Sequence, residues 1–258
     1  MIFAYLFTTI LLTTTALAVP RRISSRPRAD NRRSAPVRRI ENVGLSELAS
    51  NISHVQYSTN WAGAVWNSPA NTYTKVVGTF TVPTPSAPDG SASAWVGIDG
   101  DTCNSAILQT GVDFYYQGGA ISYDSWYEWF PDYAHNFDGI SFNAGDVVRL
   151  TVAAISTTSG TAIIENLTNG QTVSKDLSYP QYPLCEQDAE WIVEDFDSNG
   201  SQVPFTNFGT VTFTDAVATK SDGSSVSPNG ANVLDIAQNG TILTTVTETA
   251  GGVTIQYI

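Results

Sequence analysis

Histidine, cysteine and basic residues are scarce in this sequence, and each shortage excludes a class of function. Two His and two Cys among 258 residues are too few for a dedicated Cys/His metal cluster, although a site made only of carboxylates stays open. The 12 Lys and Arg residues stand against 24 Asp and Glu residues, so the net charge is −12. Nucleic acid is a poor partner for such a protein, because phosphate contacts need a basic surface. We expect no metal and no other cofactor.

Long apolar runs are also missing, except for one at the N-terminus. Residues Ile2–Leu12 are mostly apolar, and Ala16 and Ala18 place small residues at the −3 and −1 positions of a signal-peptidase site. The run is too short and too rich in Thr to span a bilayer. We therefore predict a signal peptide at residues 1–18, a secreted, extracellular protein, and no membrane contact after the signal is removed.

Secretion has two consequences for side-chain chemistry. Cys103 and Cys185 are expected to form one disulfide rather than to remain free thiols. N-glycosylation is permitted at the sequons that begin at Asn51, Asn166, Asn199 and Asn239.

Positive charge is concentrated in the N-terminal part of the chain. Residues 1–55 contain eight Arg and three acidic residues, a net charge of +5, whereas residues 56–258 contain four basic and 21 acidic residues, a net charge of −17. Residues 19–55 hold too few large apolar side chains to fold alone. We interpret them as a basic propeptide that lies across the acidic body at neutral pH and leaves when acid protonates the carboxylates. A flexible spacer is the alternative.

Residues 56–258 are predicted to form one all-β domain. Short segments rich in Val, Ile, Thr and aromatic residues alternate with Gly, Pro, Asn and Ser, and no long segment has the helical period of 3.6. This pattern is typical of a large antiparallel β-sandwich. The predicted strands are Thr72–Val82, Ala92–Ile98, Ala106–Tyr116, Ile121–Trp129, Val147–Ile155, Thr161–Thr168, Thr172–Leu177, Glu190–Phe196, Thr210–Thr219, Ala231–Ala237, Thr241–Thr247 and Val253–Ile258.

Alternation along four of these strands sorts their side chains into two rows, because successive strand residues face opposite sides of a sheet. In three of the strands one row is aliphatic or aromatic, as the core of a sandwich requires. The other row mixes carboxylates, an amide and large aromatic side chains, which favours a concave binding face over a merely solvated one. The mixed row contains Trp95, Asp99, Gln109, Asp113, Asp124, Trp126, Glu128, Phe130, Glu190, Glu194 and Phe196.

The residue types in the mixed row restrict its chemistry. His135 is the only His after residue 54 and has no neighbouring nucleophile motif, so serine or cysteine hydrolase chemistry lacks its base. The Asp-Thr-Gly and Asp-Ser-Gly motifs of two-aspartate peptidases are absent from the sequence. Carboxylate acid–base chemistry remains, with an amide that could polarise a carbonyl. Two carboxylates beside aromatic rings would also serve a glycosidase, and the residues alone do not choose between these reactions.

Four segments of the chain resemble the glutamic peptidases, or eqolisins, which are secreted acid proteases of fungi. They are Ala94–Cys103, Ile107–Asp113, Trp126–Pro131 and Ala189–Phe196, and they follow one another in the family's order. The resemblance extends from about Ser58 to the C-terminus. It implies a β-sandwich of the concanavalin or jelly-roll type with a concave active-site face, and a peptide hydrolase that is active in acid and insensitive to pepstatin.

The resemblance also implies roles for single residues. Gln109 and Glu194 match the catalytic pair, whereas Glu190 is expected to be structural. Phe130 departs from the family, whose members often carry Tyr there, and the missing hydroxyl is expected to shift specificity. Cys103 and Cys185 match a family disulfide. The residues that match the lining of the substrate cleft are Trp95, Asp99, Asp113, Asp124, Trp126, Glu128, Phe130 and Phe196.

In the implied reaction Glu194 is a general base toward a water molecule and then a general acid toward the leaving nitrogen, while Gln109 orients the water and donates to the oxyanion. The expected partners are polypeptide substrates and the chain's own propeptide, and the protein is expected to be a monomer.

One alternative is a secreted carbohydrate-active sandwich, either a glycoside hydrolase or a lectin-like module. It would use Glu128 and Glu194, with Trp95 and Trp126 as sugar platforms. A binding or structural module without catalysis is the third interpretation.

Overall fold

The computed structural model describes residues 31–40 and 55–258. No helix occurs in these two ranges, so none of their segments is a helix that could cross a membrane. The predicted signal peptide, most of the predicted propeptide and the sequon at Asn51 lie outside the described residues. The strands are β1 (Arg32–Arg33), β2 (Val55–Ser58), β3 (Trp61–Asn67), β4 (Tyr73–Thr81), β5 (Gly90–Ile98), β6 (Ile107–Gln117), β7 (Ala120–Phe130), β8 (His135–Asn136), β9 (Val147–Ser156), β10 (Ser159–Asn166), β11 (Gln171–Ser178), β12 (Asp188–Glu194), β13 (Asp197–Ser198), β14 (Ser201–Gln202), β15 (Thr210–Lys220), β16 (Ser225–Val226), β17 (Asn232–Gln238), β18 (Thr241–Ile242), β19 (Thr244–Thr249) and β20 (Gly252–Tyr257).

Two large sheets pack face to face and confirm the predicted antiparallel β-sandwich. The first, here called the site sheet, has the strand order β18-β17-β3-β12-β5-β6-β7-β8, and β2 runs parallel to β17 beside it. The second sheet has the order β11-β10-β9-β4-β15-β20-β19, with β16 paired to β15. A small third sheet joins β13 and β14 to β1, which belongs to residues 31–40, here called the leader segment.

The core between the two large sheets is built from the apolar row that alternation predicts. Phe114 and Trp191 of the site sheet are buried there together with Phe80 and Phe213 of the second sheet. The ring centroid of Phe80 lies 6.2 Å from that of Phe114 and 5.5 Å from that of Phe213. Burial of one such side chain contributes about 1.5–3 kcal/mol, so these rows hold the sheets together. The mixed row is left on the other side of the site sheet.

Most of the predicted strands are present. Eleven of them have ends within two residues of the prediction, and the twelfth, Thr241–Thr247, is divided into β18 and β19. β3 escaped prediction, because Ala62, Gly63 and Ala64 have little intrinsic tendency to form a strand. It forms nonetheless because β12 and β17 pair with it on its two sides. A Cβ atom on Gly63 would lie 2.0 Å from the carbonyl oxygen of Trp191, so only glycine fits between these strands.

Two buried aspartates and a disulfide fasten β5 to β12 at one end. Asp99 follows β5 and accepts hydrogen bonds from the backbone N–H groups of residues 185–188 at 2.7–3.2 Å. Asp188 opens β12 and accepts from the N–H groups of residues 101–103 at 2.7–3.1 Å. The expected disulfide between Cys103 and Cys185 is present at the same junction, and closing a loop of this length stabilises a fold by about 4 kcal/mol. Together these contacts fix how β12 aligns with β5.

One of the predicted glycosylation sites is inaccessible in the folded protein. Asn166 is buried, and its amide donates to the carbonyl of Ser141 and to the carboxylate of Asp146, each at 2.9 Å. A glycan cannot be attached there without breaking this network. Asn199 and Asn239 are exposed and stay open to modification.

Gly111 on β6 lies where two tryptophans of the site sheet close over one strand. A Cβ atom there would lie 2.5 Å from Cβ of Trp95, 2.6 Å from the carbonyl oxygen of Ala94 and 2.8 Å from the ring of Trp126. We expect Gly111→Ala to lower the free energy of unfolding by about 1–3 kcal/mol, because the backbone cannot move aside. Urea denaturation followed by tryptophan fluorescence checks this. Gly251→Ala, where the new methyl meets open space, is the control, and equal losses in both variants would contradict the explanation.

Candidate active site

The register of β12, β5, β6 and β7 brings most of the predicted site residues together. Neighbouring strands lie about 4.8 Å apart, so residues paired across these four strands form rows only about 15 Å long. Three adjacent rows result. They are Glu194–Ser93–Asp113–Asp124, Ile192–Trp95–Gly111–Trp126 and Glu190–Gly97–Gln109–Glu128.

Glu194 lies at the end of the first row and is fully buried. The indole N–H of Trp95 donates to Oε2 at 3.0 Å, and the indole N–H of Trp61 donates to Oε1 at 3.3 Å. Burial raises the pKa of Glu194 to about 7, although the Arg32 guanidinium and the hydrogen bonds oppose this shift. A carboxyl group with such a pKa, held in one orientation, can both accept and donate a proton near neutrality.

Gln109 and Glu190 flank Gly97 in the third row, and both side chains are fully buried. Neither amide atom of Gln109 and neither oxygen of Glu190 has a hydrogen-bond partner in the part of the chain that the structure describes. Buried polar atoms without partners are rare, because each loses its hydration without compensation. The amide of Gln109 is therefore free to bind a water molecule or a substrate carbonyl. Burial raises the pKa of Glu190 well above its usual value, so ionisation of this carboxyl is disfavoured.

Glu128 ends the third row beside Gln109 and is also fully buried. Its Oε2 accepts the backbone N–H of Ser34 at 3.0 Å and lies 3.5 Å from Nη1 of Arg32. Burial nevertheless raises the pKa of Glu128 well above 4.5, because desolvation outweighs both contacts.

The leader segment covers this face of the site sheet, and of its four arginines only Arg32 is buried. The guanidinium is 3% exposed and forms two hydrogen bonds with the carboxylate of Asp113, at 2.7 and 2.9 Å. A further N–H donates to the hydroxyl of Ser93 at 3.1 Å. The guanidinium carbon lies 3.7 Å from the ring centroid of Trp126 and 4.4 Å from that of Phe196. A buried charge is tolerated there because an opposite charge and two ring faces surround it.

The rest of the leader segment lies along the same face of the site sheet, which is here called the cleft. The backbone N–H of Ala35 donates to Oε1 of Glu194 at 3.1 Å, and the amide of Asn60 donates to the carbonyls of Ala35 and Pro36. The guanidinium of Arg33 lies 5.1 Å from the ring centroid of Phe130. The leader segment thus contacts several residues expected to line a substrate cleft.

Not every predicted cleft residue is part of this cluster. Asp124 is half-buried at the far end of the first row. Asp99 lies beyond the end of β5, where its carboxylate is occupied by the backbone N–H groups of the β12 junction. Asp99 also lies close to the sulfurs of Cys103 and Cys185, but both sulfurs are joined in the disulfide and are not available to a metal ion.

Three residues of the site were not predicted from the sequence. Trp61 pairs with Glu194 across β3 and β12, Ser93 lies between Glu194 and Asp113, and Asn60 binds the leader segment. Recognition of β3 as a strand would have placed Trp61 on the face of Glu194. Ser93 was detectable, since it shares a strand face with Trp95.

The chain is similar to known peptidases over most of its length. The Peptidase A4 family matches residues 59–257. Aspergillopepsin-2 of Aspergillus niger is 46% identical over 283 aligned residues, which cover 99% of each chain. Scytalidopepsin B of Scytalidium lignicola is 42% identical over 217 residues, which cover 81% of each chain. The crystal structure of scytalido-glutamic peptidase with a transition state analog inhibitor superposes with a TM-score of 0.72 at 42% identity, covering 78% of this chain and 98% of that chain.

The buried carboxyl groups predict that this protein is more stable in acid than at neutral pH. Burial raises the pKa of Glu194 and Asp195 to about 7 and that of Asp99 and Asp235 to about 6. Such groups contribute stability that is complete below their unfolded pKa values and is lost as the pH rises through the folded ones. We expect the free energy of unfolding to fall between about pH 4 and about pH 8.

Urea denaturation at a series of pH values measures this loss. Glu190→Gln should lose less stability over the same interval, because the amide does not titrate, whereas the carboxyl of Glu190 is harder to deprotonate in the folded chain than in the unfolded chain. A free energy of unfolding that rises toward neutral pH would contradict the prediction.

Proposed function

The chain belongs to the Peptidase A4 family, and on that premise we propose that it is a secreted glutamic-type endopeptidase that hydrolyses polypeptides in acid. The observation that carries the proposal is the environment of Glu194. This buried carboxyl has a pKa of about 7, receives two indole N–H groups and contacts a peptide N–H. That peptide N–H belongs to Ala35, so the leader segment occupies the position proposed for a polypeptide substrate.

Glu194 is the proposed acid–base group. The pKa of about 7 belongs to Glu194 while the leader segment covers it; departure of the leader segment admits water, which relieves the desolvation and lowers the pKa toward its usual range. The ionised carboxylate then takes a proton from a water molecule while the water oxygen forms a bond to the scissile carbonyl carbon, and the carbonyl becomes an oxyanion. The protonated carboxyl then gives that proton to the leaving nitrogen as the C–N bond breaks. The contact of 3.1 Å between Glu194 and the nitrogen of Ala35 supports this role, because it brings a peptide nitrogen within reach of the carboxyl.

Gln109 is the proposed partner for the water and the oxyanion. Its buried amide has no hydrogen-bond partner among residues 31–40 and 55–258, which leaves its oxygen for the attacking water and its N–H groups for the developing negative charge. One such donor typically contributes about 3–4 kcal/mol to lowering the barrier. No base other than Glu194 is needed, and the two-aspartate motifs are absent from the sequence, so we expect pepstatin to leave the activity unchanged.

The leader segment is the proposed inhibitor of this site, as part of a propeptide at residues 19–55 that precedes a monomeric mature domain at residues 56–258. Its arginines form four ion pairs with the acidic body, Arg32 with Asp113 and with Glu128, Arg38 with Asp197 and Arg39 with Asp101. Arg32 also faces Glu128 and Glu194. Acid weakens ion pairs between arginine and carboxylates in general, so we expect acid to favour departure of the leader segment.

A carbohydrate-active sandwich has less support. The indole N–H groups of Trp95 and Trp126, the rings proposed as sugar platforms, donate to Glu194 and Ser93, and the group that covers the ring of Trp126 belongs to a polypeptide, the leader segment. Incubation of the acid-treated protein with denatured protein and, separately, with polysaccharide compares the two activities. Fragments from the polysaccharide alone would overturn the peptidase proposal, and no product from either would favour a binding module.

The two Glu residues of β12 offer a matched test of the catalytic assignment. We expect Glu194→Gln to lower kcat on a denatured protein substrate by about 10²- to 10⁴-fold, because the amide cannot transfer the proton. Gln109→Ala should lower it by about 10²- to 10³-fold. Glu190→Gln changes the same atoms four residues earlier on the same strand face and should stay within about tenfold of the unmodified protein. Wild-type activity in folded Glu194→Gln would remove the assignment.

The inhibitory role of the leader segment is tested in the full chain. Arg32→Gln removes the buried cation and should raise the proteolytic activity at neutral pH by about tenfold or more, because several charge-assisted hydrogen bonds to the cleft are lost. Arg38→Gln is the control within the same segment, since Arg38 is 40% exposed and its loss should have a smaller effect. A full chain that is already fully active at neutral pH would show that the leader segment does not inhibit.

A further inference from the structure

Buried polar atoms without hydrogen-bond partners are concentrated in one row of the site sheet. Five of the eight such side-chain atoms among residues 31–40 and 55–258 lie there: both amide atoms of Gln109, both carboxyl oxygens of Glu190 and Oε1 of Glu128. The row is Glu190–Gly97–Gln109–Glu128, across β12, β5, β6 and β7. Because each of these atoms loses its hydration without compensation, their concentration beside the proposed catalytic amide points to contacts made during the reaction.

Gly97 leaves the space between Glu190 and Gln109 free of an intervening side chain. A Cβ atom on Gly97 would lie 2.8 Å from Oε1 of Glu190 and 2.7 Å from the ring of Trp95. The carboxyl of Glu190 therefore lies over Gly97, toward Gln109, rather than over β3 on the other side of β12. Paired side chains on neighbouring strands start about 5 Å apart, so one water molecule can join this carboxyl to the amide of Gln109.

Glu190 is separated from the acid–base group and from the bound polypeptide. The ring of Trp95 that lies over Gly97 carries the N–H that donates to Glu194 at 3.0 Å. The leader segment donates hydrogen bonds to Glu128 and to Glu194, and within the described residues it donates none to Glu190. A contribution of Glu190 to the reaction would therefore pass through Gln109.

The amide of Gln109 needs a partner that fixes its orientation, because its two ends are nearly equal in size. Rotation by 180° exchanges oxygen and nitrogen, and would turn an N–H toward the attacking water and the oxygen toward the oxyanion. Besides burial, the carboxylates of Asp188, Asp99 and Asp101 raise the pKa of Glu190, and none of them belongs to the leader segment. In acid Glu190 thus offers a carbonyl acceptor that carries no charge.

We propose that Glu190 is the positioning residue of Gln109. Its neutral carboxyl accepts a hydrogen bond from a water molecule, and this water accepts one N–H of the amide. The second N–H is then left for the oxyanion and the amide oxygen for the attacking water. This role differs from the purely structural one that the family resemblance implies. The inference rests on the proposed function and deepens it, since it adds a residue to the same site.

Two substitutions of Glu190 test this role in the acid-treated full chain with a denatured protein as substrate. Glu190→Met keeps the length of the side chain but cannot hold the bridging water. It should lower kcat by at least about 30-fold with little change in KM, because the amide loses its productive orientation. Glu190→Gln keeps the carbonyl and should stay within about tenfold of the unmodified protein. Urea denaturation should show Glu190→Met folded, since no hydrogen bond to another described residue is lost.

A double-mutant cycle shows whether Glu190 acts through Gln109. In Gln109→Ala there is no amide to orient, so adding Glu190→Met should change kcat by less than about threefold. A structural contribution of Glu190 would instead lower kcat by the same factor in both backgrounds, even if Glu190→Met proves less stable. Asp235→Asn, at a buried carboxyl of β17 outside the row, is the control and should have the same small effect in both backgrounds.

Failure of the positioning role and failure of the proposed function are distinguishable. Unchanged kcat in Glu190→Met, equal losses in the Met and Gln variants, or an undiminished effect of Glu190→Met in Gln109→Ala would each overturn the positioning role. The peptidase assignment would stand in all three cases. If the unmodified chain cleaves no denatured protein after acid treatment, the proposed function is wrong, and the positioning role with it.

Discussion

The alignment of β12, β5, β6 and β7 is the constraint on which the site depends. Asp99 and Asp188 each bind the backbone of the other's segment, and the disulfide between Cys103 and Cys185 joins the same junction. A shift of one residue in any of these strands would turn its mixed row into the core, because strand side chains alternate. The acid–base chemistry proposed for Glu194 and Gln109 thus depends on the hydrogen bonds of Asp99 and Asp188, which fix the alignment of β5 with β12.

Burial of acidic side chains links the stability of this fold to its proposed working conditions. Glu128, Glu190 and Glu194 are fully buried on one face, and desolvation raises the pKa of all three. While the leader segment covers it, such a face is most stable when these carboxyl groups are protonated, and ionising them costs free energy. Arg32 of the leader segment supplies positive charge to this face and so offsets part of the cost of ionising its carboxyl groups. The backbone of the leader segment covers the same face.

The alternation of side chains along single strands predicted much of this site. Alternation alone assigned Gln109, Glu128 and Glu194 to one face, and their register in the structure brings that face together. Prediction failed where a neighbour decided the outcome. β3 forms through pairing with β12 and β17 despite its small residues. Asp99 belongs to the mixed row of β5 by alternation and was expected in the cleft because it matches a cleft position of the family. Asp99 instead turns to the N–H groups of a segment 86 residues later in the chain, which no local pattern reveals.

The sequence by itself determined the all-β class, the division of charge between a basic leader and an acidic body, and the residue types of the mixed face, because these depend on composition and on the period of two in a strand. Only the tertiary structure decided which strands are neighbours, which carboxyl groups lose water and which arginine of the leader enters the cleft. Those properties depend on contacts between distant segments. Arg32 and Arg33 are adjacent and identical in type, yet only Arg32 reaches Asp113, because the pairing of β1 with β13 directs its side chain into the cleft.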